Sequence, residues 1–336
     1  MRPLSKYFIQ NLDGYFLREN FLIASIVTIF VIRFFLKITD YPQLSGSGLH
    51  IAHLLWGGFF MLTSLLLLLS FLGRGILGLA SILGGIGFGA FIDELGKFVT
   101  SDNNYFFQPT IAIVYVIFIF IYIISKALAK DKKITPKEYL VNTLEMVAEA
   151  VMNDLDSEEK KRALLYLQKS DQKDPLVKSL REFFSQVQSI PAPQPSLLNR
   201  LKHFLSDLYA RVLRNKVLTG GLIAIVAIES VLTILSSLSY LLTRTTLSFS
   251  ETGEILSSGA ALIVALIGAI MMSKSRKQGF RIFKIAILIL LLVTQFFTFY
   301  EEQFRALIGL SINLLLLAVV DYALDQEENV KPSTVH

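Results

Sequence analysis

The chain has 336 residues, 53% of them hydrophobic and 18% charged, with 26 Phe, a mean hydropathy of +0.56 and a net charge of +5. A soluble fold of this length cannot bury so much apolar surface, so lipid must cover part of it. The absence of cysteine excludes disulfides, thiolate zinc sites, iron–sulfur clusters and cysteine nucleophiles, and the basic balance reads as loop charge of a membrane protein, with no nucleic-acid partner expected.

In chain order, residues 1–20 mix Arg2, Lys6 and Arg18 with Tyr7, Phe8, Ile9, Tyr15 and Phe16, the pattern of a short interfacial helix. A first apolar run at 21–38 has no small-residue cleavage motif after it, so a retained helix is expected rather than a signal peptide. Further runs lie at 50–72, 75–98, 109–129, 217–241, 255–273, 281–299 and 304–324, each close to the ~20 residues that cross the hydrocarbon of a bilayer. The expectation is an all-α polytopic membrane protein with eight transmembrane helices in two four-helix halves, 1–129 and 217–325, joined by a helical insert over 130–216 and followed by a tail at 326–336. With the N-terminus inside, only Lys37, Lys97, Arg244 and Arg305 fall in outer segments and Arg33 within the first run. The other Lys and Arg gather on the inner side, which predicts both termini and the insert in the cytoplasm of a multi-pass plasma-membrane protein.

The insert opens with Thr135-Pro136-Lys137-Glu138, a capping residue, a proline at the first helical position and a Glu three residues after the cap. Leu140, Leu144, Val147, Val151 and Leu155 then recur at helical spacing, and Ser157 and Asp174-Pro175 start two more helices. Three alternating prolines over 190–195 predict a stiff extended linker, followed by an amphipathic helix along the inner membrane surface.

The third run carries Gly84, Gly85, Gly87 and Gly89 before Asp93, Glu94 and Lys97. Gly85 and Gly89 are four apart, with Ser81 one step earlier, and such small-residue spacing lets helix backbones approach closely. A partly unwound helix lining a cavity is the alternative. In the eight-span topology the second run starts at the outer surface with His50 and His53, and the third ends there with Asp93 and Glu94. Arg33 near the outer end of the first run, and Glu251, Glu254, Glu301, Glu302 and Arg305 in the second half, reach the same depth.

Three readings of this set compete. His50, His53 and Glu94 are a candidate ligand set for a divalent metal, with a further carboxylate activating water. Arg33 and Lys97 are candidates for holding an anionic lipid headgroup or phosphate, with His53, Glu94 and Asp93 as the catalytic candidates. The bland reading is that all of them mark the water interface. Glu229, about 12 residues into the fifth run and so near the bilayer midplane at 1.5 Å per residue, is a candidate coupling residue for protons or cations. Asn313 in the last run reads as helix–helix glue.

At these residues a family resemblance emerges. Leu49-His50-Ile51-Ala52-His53-Leu54, with Phe91-Ile92-Asp93-Glu94-Leu95 some forty residues on, resembles the VanZ-like polytopic bacterial membrane proteins. Members pair an Asp-Lys-x-x-His start with a later Glu that closes an apolar helix, followed by a polar loop. Position by position, the family His falls on His53, its Glu on Glu94 and its loop on Ser101-Asp102-Asn103-Asn104. Leu49-His50 replaces the family's Asp-Lys, and Lys97 stands where Gln is usual. The likeness covers about the first 130 residues and implies a cell-envelope role.

Each half places a glycine (Gly48, Gly253) before its second run and an acidic pair (Asp93-Glu94, Glu301-Glu302) at the end of its third, the outline of a parallel repeat. There is no phosphate loop, nucleophile elbow or zincin helix. Three functions stay open: a cell-envelope protein handling a lipid or amphiphile at an outer-facing His/acid site, a secondary transporter using Glu229 and the repeat, or a non-catalytic membrane scaffold. The lipid bilayer is the one certain partner, while oligomeric state and reaction are not legible.

Overall fold

Helix formation follows the apolar runs almost throughout. The computed structural model describes residues 9–39, 45–46, 49–50, 53–101, 107, 109–130, 134–191 and 248–329, and these are nearly all helical. Six helical stretches are long and apolar enough to cross a membrane: Gly14–Ile38, His53–Ser70, Arg74–Asp93, Thr110–Leu128, Phe249–Met272 and the 49-residue stretch Arg276–Leu324, which contains two of the expected runs. The expected run at 217–241, the proline linker and the amphipathic helix after it lie outside the described residues. The chain divides into two compact units, residues 1–99 with 120–194 and residues 100–119 with 195–336.

In the first unit, α1 (Gly14–Ile38) takes up residues 14–20 as its own opening turns, so the interfacial helix expected there is not a separate element. Arg18 in those turns donates from Nε to Ser125 Oγ at 3.0 Å. Next come α2 (His53–Ser70), α3 (Arg74–Asp93) and the short α4 (Leu95–Val99), while α5 (Thr110–Lys130) gives residues 120–130 to this unit and 110–119 to the other. α2 starts three residues later than the apolar run. His50 instead pairs with Ser45 in a two-residue antiparallel ladder, because the Ser-Gly-Ser-Gly sequence before it favours a turn over a helix. His50 therefore precedes the helix that His53 begins.

α3 packs on two neighbours through its glycines. A Cβ on Gly85 would strike the Phe21 carbonyl and the Ala24 methyl of α1, and one on Gly89 would strike the Ser25 carbonyl. On the α2 side, a Cβ on Gly87 would come within 2.6 Å of Gly57 O and Met61 N, and one on Gly57 within 2.7 Å of Gly87 O. Ser64 Oγ of α2 donates to Ala80 O of α3 at 2.7 Å, so a hydroxyl also joins the two helices. The backbones meet directly, which explains why this glycine-dense sequence stays helical despite a propensity cost of about 1 kcal/mol per glycine against alanine. The packing role of the glycines, rather than the unwound-helix alternative, is what the structure displays.

α6 (Pro136–Val151), α7 (Ser157–Lys169) and α8 (Pro175–Gln186) complete the first unit. Thr135 and Glu138 form the expected capping box, and Asp156 forms a second one with Glu159, so the cap of α7 is Asp156 rather than Ser157. Their core is Met146, Leu155, Ala163, Leu167, Val177, Leu180 and Phe184. Of the stripe expected on α6, Leu140 and Val147 pack against this core, while Leu144 and Val151 are exposed and Met146 takes the buried position.

In the second unit, α9 (Phe249–Met272) is opened by a capping box of Ser248 and Glu251. α10 (Arg276–Ile289) runs through a π-helical turn at Leu290–Thr294 into α11 (Gln295–Glu302). Gln303, at φ 52, then redirects the chain into a 3-10 turn and α12 (Leu307–Asn329). In the π turn the Gln295 N–H bonds to Leu290 O, one residue further back than in an α-helix. The Leu291 carbonyl then accepts from the Tyr115 hydroxyl. Asn313 donates to Gln295 Oε1 at 3.4 Å and Gln295 in turn to Ala306 O at 2.8 Å, the helix-joining role expected of Asn313.

Candidate functional site

Five of the residues singled out from the sequence meet at one end of α1, α2 and α3. Asp93 is the last residue of α3 and Glu94 its C-terminal cap, with Lys97 one turn further on in α4. His53 is the first residue of α2, and Arg33 lies in the last two turns of α1. Arg33 donates from Nε to Asp93 Oδ1 at 2.6 Å and from Nη2 to the Asp93 carbonyl at 3.2 Å. His53 places Nε2 3.1 Å from Asp93 Oδ2 and Nδ1 3.0 Å from Glu94 Oε1. Lys97 Nζ donates to the same Glu94 oxygen at 3.2 Å. Arg33, His53, Asp93 and Lys97 make further interactions besides these.

Burial separates the two signs of charge. The carboxylates of Asp93 and Glu94 are each only 1% exposed, whereas the side chains of Arg33, His53 and Lys97 are 16%, 24% and 26% exposed. Anions lie beneath and cations above. The buried carboxylates are sustained by several charge-assisted hydrogen bonds each, without which burial would strongly oppose their ionisation. Two carboxylates on the two ring nitrogens of His53 suit an imidazolium that donates from both. Three cationic side chains thus lie nearer the accessible side than the two carboxylates they bond.

This arrangement bears on the metal reading. Both His53 nitrogens face carboxylates, and among the described residues no group of three or more His, Asp or Glu is placed to hold a metal ion. Of the candidate ligand set, His53 and Glu94 meet at 3.0 Å, and the His50 backbone lies in the short ladder before the helix. Glu229 lies outside the described residues. In the second unit, Ser250 bonds to Glu301, and Thr298 donates to Glu254 at 3.4 Å, while Glu301 and Glu302 are exposed.

One polar cluster had no signal in the sequence. At the opposite end of α3, Arg74 pairs with Asp13 and with Glu159, and Arg162 reaches Asp13 at 3.3 Å. Glu149 of α6 accepts from the Arg74 backbone N–H at 3.0 Å and caps α3 from another element, since Gly73 has no side chain to do so. These residues come from four separate segments, and Arg74 by itself reads only as a topological charge. No family model, curated protein or solved structure matches the chain.

Proposed function

We propose that this is an eight-span integral membrane protein that engages the anionic headgroup of a lipid or amphiphile through Arg33, His53 and Lys97 at the outer face of the cytoplasmic membrane. The observation that carries the reading is the division by burial. Asp93 and Glu94 are sealed beneath and hold the three cations in place, and the cations are what an approaching molecule meets. Cationic side chains presented at a membrane boundary favour a phosphate or carboxylate over a neutral group. His53, with both nitrogens held, contributes charge rather than a hydrogen bond in this reading, Arg33 and Lys97 supply the donors, and Asp93 and Glu94 act as positioning residues. The outward orientation rests on the distribution of Lys and Arg, and the resemblance of the first 130 residues to VanZ-like proteins agrees with a cell-envelope role.

The test is binding of short-chain phosphatidic acid to the purified chain in phosphatidylcholine nanodiscs, measured by native mass spectrometry. Lys97→Gln and Arg33→Gln should each weaken binding by about tenfold, equivalent to losing one charge-assisted hydrogen bond of roughly 1.4 kcal/mol. Parent-like binding by both variants would remove the basis of the proposal.

A further inference from the structure

The far end of α3 borders a second enclosure, and none of its residues belongs to the Asp93 cluster. A cavity of about 520 Å³ opens between the start of α1, the first turns of α3 and α7. Its polar wall is the set Asp13, Arg74, Glu159 and Arg162, in which Arg74 Nη1 meets Glu159 at 3.3 Å and Arg162 Nη1 meets Asp13 at 3.3 Å. Its opposite wall is apolar, with Phe16 and Leu17 from α1 and Leu77 from α3, both helices long and apolar enough to cross a membrane. Gly75 and Gly78 also line the cavity, and a Cβ on either would meet nothing within 4 Å.

Two features say what fits. The Nε of Arg162 is buried and has no hydrogen-bond partner, so this guanidinium has bonding capacity beyond its contact with Asp13. The four charged side chains also balance, two cations against two anions. A ligand that brings only negative charge would upset this balance, and an anion that displaced a guanidinium from its carboxylate would leave that carboxylate uncompensated. A ligand that brings a phosphate and a primary ammonium satisfies both sides, the phosphate taking guanidinium donors and the ammonium donating to the carboxylates they release. The apolar wall on membrane-crossing helices accounts for a ligand that carries hydrocarbon as well.

We propose that this cavity binds a phospholipid whose headgroup carries both a phosphate and a primary ammonium, with its chains along Phe16, Leu17 and Leu77. The site lies a helix length, roughly 30 Å for 20 residues, from the Arg33–His53–Lys97 cluster and does not depend on the role given to that cluster.

The experiment uses the full chain in phosphatidylcholine nanodiscs, with native mass spectrometry of bound short-chain phosphatidylethanolamine, phosphatidylglycerol and free phosphoethanolamine. In the Arg33→Gln, Lys97→Gln double variant, which weakens the other cluster, phosphatidylethanolamine should bind at least about tenfold more tightly than either competitor. Gly78→Leu, whose Cβ meets nothing within 4 Å, and Arg162→Gln, which removes the unpartnered donor, should each lower that binding by about tenfold, while Lys161→Gln, in an exposed pair with Glu158 outside the cavity, leaves it unchanged. Preference for phosphatidylglycerol would overturn the zwitterionic assignment. Equal binding of phosphoethanolamine would overturn the lipid assignment in favour of a soluble ligand. Parent-like binding by Arg162→Gln, or by a folded Gly78→Leu, would overturn the site.

Discussion

His53 Nε2 stands 3.1 Å from Asp93 Oδ2 across 40 residues of sequence, because α2 begins at the level where α3 ends. Arg33 takes the other Asp93 oxygen from α1, so one buried carboxylate ties together the ends of three helices. Removing that carboxylate should be more damaging than removing Lys97, which bonds to Glu94. Asp93→Ala leaves Arg33 and His53 facing each other without an anion between them, at a cost of about 3–5 kcal/mol for breaking a buried pair. Thermal unfolding in detergent should show Asp93→Ala well below Lys97→Ala, whose loss leaves Glu94 still bonded to His53. Equal melting temperatures for these two variants would contradict the arrangement.

The close approach of α3 to α1 gives a second prediction. Gly89→Ala must push its methyl into the Ser25 backbone, whereas Gly58→Ala on α2 meets open space. The first should lose about 1–3 kcal/mol through overpacking, and the second should gain up to about 1 kcal/mol from helix propensity. Denaturant titration of both variants tests the sign of each change.

Cross-linking offers a third test in a chain that contains no cysteine. With His53 Nδ1 3.0 Å from Glu94 Oε1, the double variant His53→Cys and Glu94→Cys should be joined by a short bifunctional reagent. A reagent that cannot cross the membrane should act from the outer side. Reaction only from the other side would reverse the topology, as would a reporter fused at Gln172 that reads outside.

A fourth prediction concerns the cap that α6 supplies to α3. Glu149→Ala removes the acceptor of the Arg74 N–H, and caps of this kind are worth about 1 kcal/mol. Hydrogen exchange at residues 74–77 should accelerate several-fold, while amides near Ala90 keep their protection. Unchanged exchange at 74–77 would show that the α3 terminus does not depend on α6.

In the second unit, Tyr115→Phe deletes only the hydroxyl that bonds to the Leu291 carbonyl of the π turn. That carbonyl is buried in an apolar setting, so losing its partner should cost about 1–3 kcal/mol. A neutral effect on melting temperature would mean that the carbonyl finds another donor.

Much of this protein was legible in the sequence because the information is local. Apolar runs of membrane-crossing length, the capping box at Thr135 and Glu138, and the small-residue spacing of Gly85 and Gly89 depend on neighbours a few residues apart. The alternation of helix direction also sufficed to bring His53 to the depth of Asp93 and Glu94. The tertiary structure decided the rest. It placed His50 in a ladder because a Ser-Gly-rich turn competes with the helix start, and it matched Arg33 to Asp93 and Lys97 to Glu94 among pairings that composition leaves equivalent. It also assembled Asp13, Arg74, Glu149, Glu159 and Arg162 from distant segments. Charged side chains at helix ends attract any opposite charge nearby, so only the packing of the backbones, set here by glycines that let α1, α2 and α3 touch, fixes which partners meet.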